Sequence, residues 1–213
     1  NGVAEMAGVT ASHTYAQAGS FNAVVTATNG PNNVTASTVV VVTNVAPVPN
    51  AGADQSVTIG SNVTLSGSGV DPDNHLPLSY RWQQTGGPAV TLSSKNVSGV
   101  TLTAPATPAV LTFTLSVTDA QGLVNAAPDT VVVTVTDVPV SGLSAASSSP
   151  TRLGNNTLFT ASVSGGSNVV YTWNFGDGSF GSGANASHVY AKAGSYTAIV
   201  TATNSAGAAS AHV

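Results

Sequence analysis

The stretch Tyr171-Thr-Trp-Asn-Phe-Gly-Asp-Gly178 decides the fold, because aromatic and polar side chains alternate along its first five residues. The three aromatic side chains fall on one face of an extended chain, and Thr172 and Asn174 fall on the other. This spacing is typical of a β-strand that is buried on one side. The glycines that flank Asp177 indicate a tight turn after the strand.

A repeat connects this region to the start of the chain. Ser12–Asn29 and Ser187–Asn204 are identical at thirteen of eighteen positions, at an offset of 175 residues. Most of the five differences conserve side-chain size, so both copies are expected to pack in the same environment. The first copy begins where the second already has its Asp177 turn, and we therefore expect the first module to be incomplete.

The length of 213 residues leaves room for one further module between the two copies. Proline-containing joints at Ala46–Pro49 and Asp137–Pro139 mark its ends and stiffen the connections. We predict an incomplete sandwich over 1–45, a second sandwich over 46–138, and a third over 139–213 that lacks the end of its last strand.

Short strands separated by Gly, Pro, Asn and Asp every eight to twelve residues are typical of a sandwich of two antiparallel sheets. The fold class is therefore all-β, with tandem sandwiches. The middle module offers seven candidate strands: Gln55–Ile59, Asn62–Ser66, Leu78–Gln84, Ala89–Ser93, Val97–Thr103, Leu111–Thr118 and Thr130–Thr136.

Composition excludes several classes of function. Charged residues make up 6% of the chain, the net charge is −4, and Lys and Arg together number four. Binding to nucleic acid or to anionic membranes is disfavoured, because no basic patch can form. The absence of cysteine excludes disulfides, thiol catalysis and cysteine-ligated zinc. A Thr-, Ser- and Asn-rich chain with few lysines points to a location outside the cell.

Three motifs resemble a known family. Trp173–Gly178, His188–Tyr190 and Gly194–Tyr196 are similar to the motifs of a polycystic-kidney-disease (PKD) repeat, an immunoglobulin-like sandwich of extracellular proteins. Residues 1–44 resemble the C-terminal half of another such repeat. The middle module, with Leu78–Trp82 and its neighbours, is similar to divergent PKD-like modules of microbial surface proteins. The resemblance implies a non-catalytic spacer or adhesive role at the cell surface or in a secreted protein.

A cluster of oxygen ligands suggests a calcium site in the middle module. Asp71 and Asp73 crowd one loop, and the sandwich topology is expected to bring Asn50 and Asp119 to the same pole. Oxygen ligands that converge in this way suit calcium. Some PKD-like domains bind calcium in this region, so the resemblance supports the site, although Asp-Pro-Asp-Asn is also an ordinary turn sequence.

Other side chains allow two interpretations. Asp177 and His188 suit a structural turn better than catalysis, because their spacing assembles no nucleophile. Trp82 and Trp173 are predicted to be core residues instead of sugar-stacking platforms. If the source organism modifies asparagine, five Asn-x-Ser/Thr motifs are glycosylation candidates, and otherwise they are plain surface residues; they lie at Asn33, Asn62, Asn96, Asn155 and Asn185.

The favoured function is a structural or adhesive segment of a longer surface protein or filament, without enzymatic activity. Its expected partners are neighbouring modules of the same type, other copies of the protein, or surface glycans. The alternative is an accessory spacer or substrate-binding segment of a secreted protease or polysaccharide-degrading enzyme.

Overall fold

The computed structural model describes residues 10–213, which form strands and turns without any α-helix. The first nine residues of the predicted incomplete module lie outside the described residues. The all-β prediction is confirmed. Residues 10–213 contain no helix that is long and apolar enough to span a membrane.

The first described element is a hairpin of two long strands. β1 (Gly19–Asn29) pairs antiparallel with β2 (Asn32–Val42), and Asn29 faces Asn32 across the turn. Gly30 occupies the turn with φ 59°, a conformation that costs glycine little. Several valines of the hairpin are exposed within the described chain.

The second module is a sandwich whose layers enclose a core centred on Trp82. One layer is a four-stranded sheet in the order β4-β10-β9-β7, and the other consists of the pairs β3–β6 and β5–β8. The strands are β3 (Val48–Asn50), β4 (Gln55–Thr58), β5 (Asn62–Ser66), β6 (Ser68–Val70), β7 (Ser79–Gly86), β8 (Gly99–Thr103), β9 (Ala109–Thr118) and β10 (Asp129–Thr136).

Alternation explains why these strands bury one face. Along β9, Leu111, Phe113, Leu115 and Val117 are fully buried, and the residues between them are partly exposed. This period of two is the pattern of a strand packed on one side. β4 and β10 pair in parallel, whereas the other pairs in the module are antiparallel.

One predicted strand of the middle module was wrong. Ala89–Ser93 is irregular, because side chains take the bonding positions that a neighbouring strand would occupy. The Gln84 amide oxygen accepts from the Val90 N–H, and the Ser93 hydroxyl accepts from the Thr101 N–H. The short strands β3 and β6 were not predicted.

The third module is a second sandwich with a smaller core. A three-stranded sheet, β11-β12-β15, faces a four-stranded sheet, β14-β13-β16-β17. The strands are β11 (Ser144–Ser147), β12 (Asn156–Ser162), β13 (Val170–Asn174), β14 (Phe180–Ser182), β15 (Asn185–Val189), β16 (Ile199–Asn204) and β17 (Gly207–His212). Phe159, Trp173, Phe175 and Val200 form the centre of its core.

Both tryptophans are core residues, as predicted, since each is 1% exposed. The Trp173 ring lies 5.3 Å from the Phe159 ring, and its Nε1 donates to the Gly183 carbonyl at 3.0 Å. The indole therefore contacts both sheets and has its polar group satisfied.

Replacing Trp173 by alanine is expected to lower the free energy of unfolding by about 3–5 kcal/mol, because it leaves a cavity between the sheets. Phe180, which is 75% exposed in the same module, provides the matched control. Phe180→Ala is expected to change stability by less than about 0.5 kcal/mol. Urea unfolding followed by circular dichroism measures both, and equal losses would contradict the assigned core.

Candidate functional site

A loop with two aspartates follows β6 at one end of the second module. The Asp71 Oδ1 accepts from the backbone N–H groups of Asp73 and His75, at 3.1 and 3.3 Å. These bonds fold the loop back on the Asp71 side chain, as Asx turns do. The other oxygen of Asp71, Oδ2, is buried and has no hydrogen-bond partner within the described part of the chain.

Asp119 reaches the same place from β9. The pairing of β7 with β9 sets Ser79 opposite Thr118, so Asp119 lies beside the loop that enters β7. Its Oδ1 accepts from the N–H groups of Gln121 and Leu123, at 2.8 and 2.9 Å. The residue is 4% exposed. The sheet topology therefore brings together two loops that are distant in sequence. They form one acidic pole, defined here by Asp71, Asp73 and Asp119.

The linker from the hairpin is bonded to this acidic pole. The Asn44 Nδ2 donates to the Asp119 Oδ2 at 2.7 Å, and its Oδ1 lies 2.8 Å from the His75 Nδ1. The Val45 N–H donates to the Asp73 Oδ2 at 2.8 Å. Asn44 and His75 were missed in the sequence, where the proline-containing joint after Asn44 predicted only a stiff linker.

The acidic pole concentrates negative charge around a buried oxygen. Asp71, His75 and Asp119 each offer one ligand atom, and these atoms lie within 4.8 Å of one another. Burial alone would raise the pKa of Asp119, but hydrogen bonds from Leu123, Asn44 and Gln121 outweigh burial and lower it.

This donor set fits a divalent cation. Carboxylate oxygens are the ligands that calcium prefers, and the buried Asp71 Oδ2 has no protein donor to satisfy it within the described residues. The Asp73 Oδ1 is also buried; it lies 3.2 Å from the His75 Nδ1 but accepts no hydrogen bond of good geometry there. A bound cation would coordinate these two buried oxygens, which have no hydrogen-bond partner among the described residues.

The structure does not bring Asn50 to the acidic pole. Asn50 pairs with Ser68, three residues before Asp71 along β6, which corresponds to about 10 Å of strand. Its Oδ1 accepts from the Gly52 N–H at 2.8 Å, within its own turn. Of the four predicted ligands, Asp71 and Asp119 offer oxygens that lie within 4.8 Å of each other, Asp73 lies in the same loop as Asp71, and Asn50 lies apart.

The second joint uses a carboxylate in a different way. Asp137 is 3% exposed, and its oxygens accept from the Ser167 hydroxyl at 2.8 Å, the Asn168 amide at 2.6 Å and the Ser205 hydroxyl at 2.8 Å. Asn204 adds bonds to the carbonyls of Val138 and Ser167. The linker is therefore tied to loops of the third module without any unsatisfied oxygen on Asp137.

At the opposite end of the third module, Asp177 bonds to His188. The His188 Nε2 lies 2.7 Å from the Asp177 Oδ2, and the other carboxylate oxygen accepts from the Ser179 N–H at 3.0 Å. The imidazole stacks on the Phe175 ring at 4.5 Å. The bond from His188 lowers the pKa of Asp177. These contacts join the turn to β15, which fits the structural interpretation.

The five glycosylation candidates are all exposed. Asn62 and Asn185 begin strands β5 and β15, and Asn33 lies in β2. Their modification stays a prediction.

Asp137→Asn is expected to lower stability at neutral pH, because an amide cannot accept hydrogen bonds with both of its polar atoms. Burial raises the pKa of Asp137, but the bonds from Ser167, Ser205 and Asn168 lower it overall from 3.8. The stabilisation is therefore complete above about pH 4 and is lost as the pH falls through the lowered folded-state pKa. Urea midpoints between pH 7 and pH 2 measure this loss, and the variant should lose less stability at low pH than the unaltered chain does.

Asp54, an exposed carboxylate that accepts one backbone bond from Val132, provides the control. Asp54→Asn should leave most of the pH dependence in place. An unchanged profile in Asp137→Asn would show that this carboxylate does not stabilise the joint.

Two family models match the chain. The model described as "PKD domain" matches residues 142–213, and the model described as "K319L-like, PKD domain" matches residues 51–135. No curated protein matches the chain significantly.

Solved structures resemble parts of the chain. The PKD domain of the KIAA 1837 protein is 34% identical, covers 41% of this chain and 83% of its own, and has a TM-score of 0.35. A nucleoside hydrolase-related protein of Saccharophagus degradans, associated with carbohydrate metabolism, is 24% identical over 43% of this chain, with a TM-score of 0.37. The match spans 26% of that protein's length.

An amphioxus IgVJ-C2 molecule is 15% identical, with 74% of this chain and 97% of its own covered and a TM-score of 0.40. The two family matches cover the two sandwiches built around Trp82 and Trp173. The chain therefore contains tandem PKD domains, and each of the two is a β-sandwich.

Proposed function

We propose that the chain is a non-catalytic structural or adhesive segment of an extracellular or cell-surface protein, in which sandwiches in series act as a spacer. The observation that carries this proposal is the bonding of both linkers. Asn44 and Asp137 each follow the last strand of one module, and each bonds through its side chain to loops of the next. Linkers held in this way limit bending between modules.

Two further properties support the proposal. PKD and immunoglobulin-like domains are typically non-catalytic modules. Charged residues make up 6% of the chain, and the exposed sequons offer places where glycans would hydrate a surface poor in charge. Neighbouring modules of the same type are the proposed partners, and surface glycans are a second class of partner.

Small-angle scattering tests the spacer. We expect the distance distribution of the 213-residue chain to be that of an elongated particle. Asn44→Ala combined with Asp137→Ala should broaden the distribution, because both linkers lose their side-chain bonds, while circular dichroism stays unchanged. A compact particle, or a profile that the double variant leaves unaltered, would contradict a stiff spacer.

We also propose that the acidic pole binds calcium, with Asp71, Asp73 and Asp119 supplying oxygens. The buried, unpartnered Asp71 Oδ2 supports this site among the described residues. Because Asn44 already contacts Asp119, a cation there would lie next to the linker and strengthen the first joint.

Calcium titration followed by calorimetry tests the site. A dissociation constant of about 0.1–1 mM is expected, as in other extracellular modules. Asp71→Asn should weaken binding at least tenfold, because it removes the charge of the carboxyl that carries the free buried oxygen. Asp177→Asn, at the far end of the third module, should bind as the unaltered chain does. No heat at millimolar calcium, together with no rise in melting temperature, would exclude the site.

A further inference from the structure

The two copies of the repeat share one aromatic arrangement at one end of their modules, although their strands begin at different positions. The His13 and Tyr15 rings are 4.6 Å apart at 85°, and the His188 and Tyr190 rings are 4.6 Å apart at 84°. The next aromatic side chain along the chain packs on the tyrosine in both copies, at 4.5 Å and 4.2 Å. A contact made by this end of the first module is therefore available to the third.

The first module uses this end to contact its neighbour. The Ala18 N–H donates to the Gln121 Oε1 at 3.3 Å. Gln121 lies two residues after Asp119, so the contacted loop directly follows one residue of the acidic pole. In the first copy, the repeated segment between the tyrosine and the next aromatic residue thus contacts the loop beside the acidic pole.

In the third module the equivalent segment lines a cleft. Ala193, the counterpart of Ala18, lies with Lys192, Arg152 and Tyr190 in a cleft of about 280 Å³. Lys192 replaces Gln17 of the first copy, and both Lys192 and Arg152 are exposed. This basic cleft therefore contains two of the four Lys and Arg residues of the chain.

We propose that the basic cleft is a docking surface for the acidic pole of a sandwich of the same type as the second module. The first joint supports it, because the same repeated segment already contacts the Gln121 loop beside such a pole there. Charge supports it as well, because Lys192 and Arg152 would oppose the carboxylates of the pole. The inference rests on the proposed serial arrangement and assigns the surface through which the series continues.

A recombinant chain with a further second module after Val213 tests this docking surface. The register of the two hairpins shows at which residue the extension must begin. Val24 faces Ser37 in the first copy, and its counterpart Ile199 faces His212 in the second. Val213 therefore corresponds to Thr38, and residues 39–138 appended after Val213 continue the pattern. This extension presents a second acidic pole to the basic cleft at the spacing of the first joint.

The readout is the rate at which the lysines are acetylated, measured by mass spectrometry. The 213-residue chain contains two lysines, Lys95 and Lys192, and the extension adds a second copy of Lys95, so both copies of Lys95 are internal references. We expect the extension to slow acetylation of Lys192 about fivefold or more, as for a surface covered most of the time. Acetylation of Lys95 should be unaffected.

Two variants of the extended chain test whether contact with the acidic pole causes the slower acetylation of Lys192. Asp71→Asn, Asp73→Asn and Asp119→Asn in the appended copy alone should restore acetylation of Lys192. Arg152→Glu, an exposed substitution outside the appended copy, should restore it too if the triple variant fails to fold. Equal acetylation of Lys192 with and without the extension would overturn the proposal, even if scattering still shows an elongated chain.

A free ligand is the remaining alternative. If soluble polyuronate protects Lys192 in the unextended chain and the extension does not, the basic cleft binds acidic polysaccharide and the docking proposal is wrong.

Discussion

The structure depends on the packing of one tryptophan between two sheets in each complete sandwich. The chain has no cysteine, so no disulfide can fix the distance between the layers. Each indole is fully buried, and each Nε1 donates to a backbone carbonyl, that of Ser98 for Trp82 and that of Gly183 for Trp173. The close fit also restricts nearby positions, because a Cβ on Gly67 would lie 2.7 Å from the Trp82 ring.

Both joints hold the linker by side-chain hydrogen bonds, but the carboxylates belong to the module at the first joint and to the linker at the second. At the first joint a neutral amide, Asn44, enters a pole of carboxylates; at the second a carboxylate, Asp137, enters loops of hydroxyls and amides. The second arrangement satisfies the charge of its carboxylate with protein donors. The first leaves the buried Asp71 Oδ2 without a donor among the described residues, which makes the first joint the place where a cation would act.

Much of the fold could be predicted because strand alternation and turn residues are local signals. The alternation around Trp173 and along β9 placed buried faces correctly, and the repeat showed that Ser12 and Ser187 begin equivalent segments. Ala89–Ser93 was misassigned because side-chain bonds from Gln84 and Ser93 replace a strand ladder, and propensity does not report such bonds.

The candidate site was only partly predictable for a different reason. Asp71 and Asp73 are close in sequence, and strand order then places Asp119 beside them. Asn50 was grouped with them because the sandwich topology was expected to bring it to the same pole. The register of β3 on β6 instead pairs Asn50 with Ser68, three residues before Asp71. Asn44 and His75 join through a linker contact that no sequence period encodes.

The parallel pairing of β4 with β10 has a mechanical consequence. In sequence, β4 lies near the start of the second module and β10 lies at its end. Four residue pairs join them, from Gln55 opposite Val133 to Thr58 opposite Thr136. Tension applied through the linkers would pull the two strands in opposite directions along their length. The hydrogen bonds between them would then be sheared together instead of opening one at a time, so the module would resist stretching as a single cooperative unit.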